Sequence, residues 1–199
     1  ITAIFFPVPV AIALTAAVHF LNSLFKLALL WRDVDRHVLL AFGLPAAATA
    51  IPGALLLEQL SSLPPLLEYS LSTHEFSVTP VKIAAGILLI VFATAEIWPF
   101  LNKITERNSG LAIGGILSGF FGGLSGHQGA FRSAFLIRAG LEKNPFVATN
   151  AAIAALVDIS RLIIYGLTFG SALAGEQGKL VFFAALAAFL GVFLGTRIL

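Results

Sequence analysis

Residues Gly110–Arg138 read GLAIGGILSGFFGGLSGHQGAFRSAFLIR, and the fold of the chain turns on how this stretch is read. It is apolar enough to enter a bilayer but makes a poor ordinary transmembrane helix. Glycines fall at 110, 114, 115, 119, 122, 123, 126 and 129, and the second half carries His127, Gln128 and Arg132. Backbone this rich in glycine is tolerated at membrane depth only where it is buried in protein or lines a wet cavity. Ionisable side chains in such a place mark a functional site. A straight helix over these residues would be about 43 Å long, against a hydrocarbon core of about 30 Å. A split near Gly126 to Gly129 gives two shorter helical arms instead.

Composition sets the class. The chain is 58% hydrophobic and 11% charged, and its mean hydropathy is +0.97. Several of its apolar runs approach the spanning length of about 20 residues. This predicts an all-α, polytopic helical membrane protein. The net charge of +2 comes from loops, with no basic tract, so nucleic acid is not an expected partner. The absence of cysteine excludes disulfides and thiolate chemistry. No motif supports a metal, haem or flavin, and no HExxH or nucleophile elbow points to catalysis, so no cofactor and no enzyme is expected. A chain without methionine whose apolar runs reach both ends reads as a piece of a longer protein.

Outward from the glycine-rich stretch, five more apolar blocks appear. Pro7 and Pro9 form a lead-in turn to a span over 10–31, because proline is tolerated at a helix start. Within it Thr15, His19, Asn22 and Lys26 step by four, three and four, which puts them on one face, expected to look into the bundle. The short basic loop Arg32 to His37 suits the cytoplasmic side. A second span covers 38–57, with kinks expected at Pro45 and Pro52. Residues 58–80 form a polar connection whose charge is acidic until Lys82, as in an outer loop. A third span covers 81–101 and holds Glu96, and a basic linker, 102–109, returns the chain to the cytoplasm. With Arg138 and Lys143 on the same side as Lys103 and Arg107, the charge rule favours a re-entrant hairpin for the glycine-rich stretch. Spans over 145–169 and 180–199 complete the chain, with a short loop between them holding Glu176 and Lys179.

The spans over 10–31 and 145–169 look like copies. Aligning VAIALTAAVHFLNSLFKLALL with PFVATNAAIAALVDISRLIIY at constant offset sets Thr15 on Asn150, Ser23 on Asp158 and Lys26 on Arg161. This predicts an inverted repeat, with residues 1–101 as the first membrane repeat, 102–109 as linker and 110–199 as the second.

The duplicated pattern of a proline-led, polar-striped helix, paired with a glycine-rich segment, resembles the sulfite exporter (TauE/SafE) family. The resemblance is clearest over Phe6 to Lys26 and Gly114 to Arg161. Three departures stand out. The glycine-rich segment expected before the first proline-led helix is missing, and the C-terminal repeat looks truncated. In addition, GHQGAFR replaces the family's more usual run of glycines. The resemblance implies movement of small anions, such as sulfite, sulfonates or related organosulfur compounds, across the bacterial inner membrane, with coupling to the proton gradient. Its partners would be a small anionic substrate and the lipid bilayer. A homo-oligomer is admitted, since the sequence does not set the oligomeric state.

The residues themselves point to the same chemistry. Half-helix N-termini offer free N–H groups and positive potential to an anion. The candidate substrate site therefore comprises Gly122, Gly123, Ser125, Gly126, His127, Gln128, Gly129 and Arg132 at the broken tip. Asn150 and the stripe Thr15, His19, Asn22 and Lys26 complete it. Arg132 supplies a forked donor for an oxyanion. His127, Asp158 and Arg161 form a candidate proton-coupling or ion-pair group. Each has a plainer reading. The glycines serve helix packing in GxxxG contacts, Asp158 and Arg161 neutralise each other three residues apart, Arg138 snorkels, and the stripe on the first span acts as interhelical glue. A passive anion channel and an intramembrane enzyme are the alternative functions.

Overall fold

The computed structural model describes residues 6–71, 74–97, 110–126, 129–173 and 176–198. His127, Gln128 and the linker 102–109 lie outside the described residues, as does the side chain of Glu96. Seven helices of ten residues or more are described: α1 (Val8–Leu30), α2 (Leu44–Ser62), α3 (Pro80–Ile97), α4 (Gly110–Ser125), α5 (Gly129–Arg138), α6 (Lys143–Leu173) and α7 (Glu176–Ile198). Among the described residues four segments are long and apolar enough to cross a membrane: Val8–Asp33, Arg36–Ser62, Lys143–Thr168 and Gln177–Gly195. The chain is thus an all-α, multi-pass membrane protein.

The helix ends follow local chemistry. Pro7 caps α1 and Pro9 sits in its first turn, where a missing N–H costs nothing. Between α1 and α2, the Asp35 carboxylate accepts from the Val38 N–H at 2.9 Å and so caps the turn Arg36–Val38. The Asp35 N–H in turn donates to Thr149 Oγ1 at 2.9 Å, which ties this loop to α6. A π-helical stretch, Leu39–Gly43, leads into α2 with Pro45 in its first turn, and Pro52 lies inside α2. The short loop expected around Glu176 and Lys179 is instead the polar first turn of α7.

The polar connection 58–80 holds structure that hydropathy did not indicate. Helix α2 continues to Ser62, and β1 (Leu67–Leu71) pairs antiparallel with β2 (His74–Val78) in the register Leu67↔Val78 and Tyr69↔Phe76. The rings of Tyr69 and Phe76 stack with centroids 5.5 Å apart, as cross-strand aromatic neighbours do.

Two packed clusters hold the helices together. In the first, Val38, Phe42, Ala46 and Ala50 meet Phe135 and Leu136 of α5 and Ile153 and Val157 of α6. In the second, Ala13 and Ala16 of α1 meet Ala54 and Leu57 of α2, Val81, Leu124 and Tyr165. Elements from residues 1–101 therefore interleave with those from 110–199. The rest of the apolar surface, including Leu40, Ile51, Ile87, Ile163, Leu167 and Phe183, faces outward as a lipid-facing surface must.

The closest helix contact is between α2 and α4. A Cβ added at Gly115, Gly119 or Gly123 would lie 2.3, 2.0 or 2.1 Å from the carbonyl oxygens of Phe42, Ala46 and Ala50. One at Gly53 would lie 2.1 Å from the oxygen of Phe120. Two backbones meet here with no side chain between them, which is the small-residue packing by which helices associate without a hydrophobic drive. Thr49 Oγ1 reaches across the same seam to the carbonyl of Ile116 at 2.9 Å.

Candidate functional site

The glycine-rich stretch is two helices, α4 and α5, separated at Gly126, whose φ is +76°. L side chains rarely adopt that conformation, and a Cβ there would also come within 3.0 Å of Arg161 Nη1. Beyond the break α5 doubles back, since a Cβ on Gly114 near the start of α4 would strike the ring of Phe135 near the end of α5. The outer ends of both arms, at Leu111 and Ala139, pack on the cluster that holds Val38 and Phe42. The tip instead reaches the level of Arg161 in the middle of α6.

Arg161 is buried and fully engaged. Its Nε and Nη2 donate to Asp158 Oδ1 at 2.9 and 2.6 Å, and its Nη1 donates to the carbonyl of Gly122 at 3.1 Å. One turn further along α6 the Tyr165 hydroxyl donates to the carbonyl of Gly123. The Gly122 carbonyl also accepts the Gly126 N–H at 2.9 Å, and a cation is favoured at a helix C-terminus by the helix dipole. Arg161 and Tyr165 thus close the C-terminal end of α4 from the side of α6.

Asp158, fully buried, is shared between two helices. Its Oδ1 takes the guanidinium and its Oδ2 lies 2.6 Å from His19 Nδ1 on α1. The His19 side chain is 41% exposed, so it links a buried carboxylate to the accessible surface of the bundle. The chain thus runs Gly122 carbonyl, Arg161, Asp158, His19, and crosses three helices.

Arg132 lies one turn into α5, on the far side of the break, and is 2% exposed. Its Nε donates to Asn150 Oδ1 at 2.5 Å, while its Nη1 is buried with no hydrogen-bond partner among the described residues. Arg132 is close enough to Asp158 and Arg161 to feel both charges. Among the described buried residues two guanidinium groups face one carboxylate, which leaves one positive charge. The N-terminal end of α5 adds its own positive potential at the same break. A buried donor without an acceptor costs about 1–3 kcal/mol, and more when charged. This group is suited to receive a small anion.

The other residues expected at the site fall as follows. Gly122 and Gly123 lie at the tip and offer carbonyls, and Gly123 also packs on α2. Ser125 is buried and its hydroxyl donates to the Phe121 carbonyl at 3.0 Å. Gly129 opens α5 with no atom of the described residues within 4 Å of its Cβ position. Thr15 is exposed and donates to the carbonyl of Ala11 in its own helix. Asn22 and Lys26 line a cavity beside the cluster rather than the cluster itself. Tyr165 was not singled out from sequence, although it stands four residues after Arg161 on the same helical face. Among the described residues no group of His, Asp and Glu could hold a metal ion.

A family model described as Sulfite exporter TauE/SafE matches residues 1–199, the whole chain. The chain belongs to this family. TauE/SafE proteins are membrane transporters, exporters of sulfite and related anions, which accords with a multi-pass bundle holding unneutralised positive charge inside. Comparison with curated proteins and with solved structures finds no significant match.

Proposed function

We propose that this TauE/SafE protein is a secondary transporter of small anions such as sulfite, sulfonates or related organosulfur compounds. It works across the bacterial inner membrane, and its anion site lies at the break between α4 and α5. The observation that carries the reading is Arg132, a buried guanidinium with one nitrogen unpartnered beside an ion pair that is already satisfied. An oxyanion at that nitrogen would satisfy the donor and offset the remaining charge. Asn150 fixes the guanidinium through Nε and leaves Nη1 for the ligand.

The break is a re-entrant tip in this reading. The outer ends of α4 and α5 lie at the end of the bundle that carries Arg32, Arg36, Arg138 and Lys143, and the acidic residues Glu58, Glu68 and Glu75 lie at or beyond the opposite end of α2. By the positive-inside rule the basic end is cytoplasmic. The antiparallel packing of α1 on α6, the two proline-led helices, supports an inverted repeat of which these are the equivalent members.

Proton coupling falls to His19 and Asp158. A proton taken up on His19, whose Nδ1 lies 2.6 Å from Asp158 Oδ2, would tighten that contact and raise the interior charge by one. The anion and the proton then favour each other's binding. Sulfite flux into proteoliposomes, with and without an imposed pH gradient, tests this. The wild type should show saturable flux driven by the gradient. Arg132→Gln should abolish flux, and His19→Gln should retain flux but uncouple it from the gradient. Flux that does not saturate, or that ignores Arg132, would reject the proposal.

A further inference from the structure

A cavity of about 660 Å³ opens between the C-terminal half of α1, the start of α6 and the second half of α7. Its polar lining is Asn22, Lys26, Lys143 and Asn144, with Leu29 and Val192 among the apolar walls. No carboxylate lines it among the described residues. The two lysines come from different helices, one from each of the two that also supply His19 and Asp158. Lys143 and Asn144 stand at the N-terminal end of α6, where the helix dipole adds positive potential. Asn22 Oδ1 is buried with no hydrogen-bond partner among the described residues, leaving it for a ligand hydroxyl or a water.

We infer that this cavity is a second oxyanion site, a vestibule at the basic end of the bundle that holds the anion before it reaches Arg132. The inference rests on the reading of the chain as an anion transporter. Lys26, Asn22 and His19 lie on one face of α1, so a single stripe about 10 Å long leads from the cavity to the Asp158 cluster. Two ammonium groups give an oxyanion point charges without forked geometry, which suits capture and release rather than tight holding. The shared chemistry is that of an oxyanion with room for an apolar body, and either a free anion or a phospholipid headgroup carries it.

The test is saturable binding of radiolabelled sulfite to the full-length protein in phosphatidylcholine vesicles and in vesicles of phosphatidylcholine with phosphatidylglycerol. Phosphatidylglycerol retained by the purified protein is measured by mass spectrometry. Lys26→Gln/Lys143→Gln should raise the half-saturating sulfite concentration about tenfold in phosphatidylcholine, roughly what 1.4 kcal/mol of lost attraction gives. Lys26→Arg/Lys143→Arg should restore it. If a lipid headgroup is the occupant, phosphatidylglycerol raises the wild-type half-saturation and the glutamine variant loses the retained lipid. Unchanged half-saturation together with unchanged lipid retention in the glutamine variant overturns the site. Absence of sulfite binding in the wild type counts against sulfite as the transported anion, and lipid retention then decides the vestibule alone.

Discussion

His19 Nδ1 on the first helix and Asp158 Oδ2 on the sixth lie 2.6 Å apart, although 139 residues separate them in sequence. Asp158 is also the partner of Arg161, so one buried carboxylate holds a cation on its own helix and a titratable ring on another. Removing the carboxylate would leave the guanidinium of Arg161 buried without its anionic partner. Asp158→Asn should therefore cost about 3–5 kcal/mol, the usual penalty for breaking a buried pair from one side. Thermal unfolding in detergent would measure it, and Asp158→Asn/Arg161→Gln should recover part of the loss. A single variant as stable as the wild type would show that the pair is solvated.

The seam between α2 and α4 makes a contrasting pair of predictions. Gly119→Ala would set a methyl group 2.0 Å from the Ala46 carbonyl oxygen and force the two helices apart, a loss of about 1–3 kcal/mol. Gly166→Ala, at a position with no atom within 4 Å, should be neutral or stabilising by up to about 1 kcal/mol. Parallel melting curves of the two variants check both, and equal effects would contradict the backbone-on-backbone seam.

Much of this was legible in the sequence, and the reasons differ by feature. Hydropathy and proline placed the long helices, because span length and the missing proline N–H are local constraints. A split near Gly126 to Gly129 followed from a glycine-rich stretch too long for one hydrocarbon core, and helices α4 and α5 end and begin on either side of that position. The two uses of those glycines could not be separated from sequence. Gly115, Gly119 and Gly123 repeat every four residues and seat the backbone of α2, while Gly126 makes the turn. The β1–β2 hairpin was overlooked because its strands are five residues each and acidic residues dominated the reading of that segment. The pairing of His19 with Asp158 depends on the height at which two antiparallel helices cross, which no spacing within either helix encodes.

Tyr165 offers a milder test of how the end of α4 is held. Tyr165→Phe removes the donor to the Gly123 carbonyl at the end of α4, for a loss of about 0.5–1.5 kcal/mol. Since Gly123 lies within three residues of the break, the variant should also lower the maximal transport rate more than it lowers the apparent affinity. Flux kinetics alongside unfolding would show a stability loss with unchanged kinetics if the tip were held independently of Tyr165.

Gly126→Ala probes the tip directly. A side chain at φ +76° costs roughly 1–2 kcal/mol by conformation alone, and here its Cβ would also press on Arg161. Flux should fall sharply while the protein remains assembled in the membrane. Wild-type flux would show that the turn has no part in anion passage.

The most direct measurement is saturable sulfite flux by Arg132→Gln and Arg132→Lys against the wild type, with the amount of folded protein in each vesicle preparation matched. If the unpartnered Nη1 of Arg132 is where the anion binds, glutamine abolishes flux and lysine restores only part of it, because an ammonium keeps the charge but not the planar fork. Glutamine and wild type carrying sulfite equally well would contradict an anion site at this break.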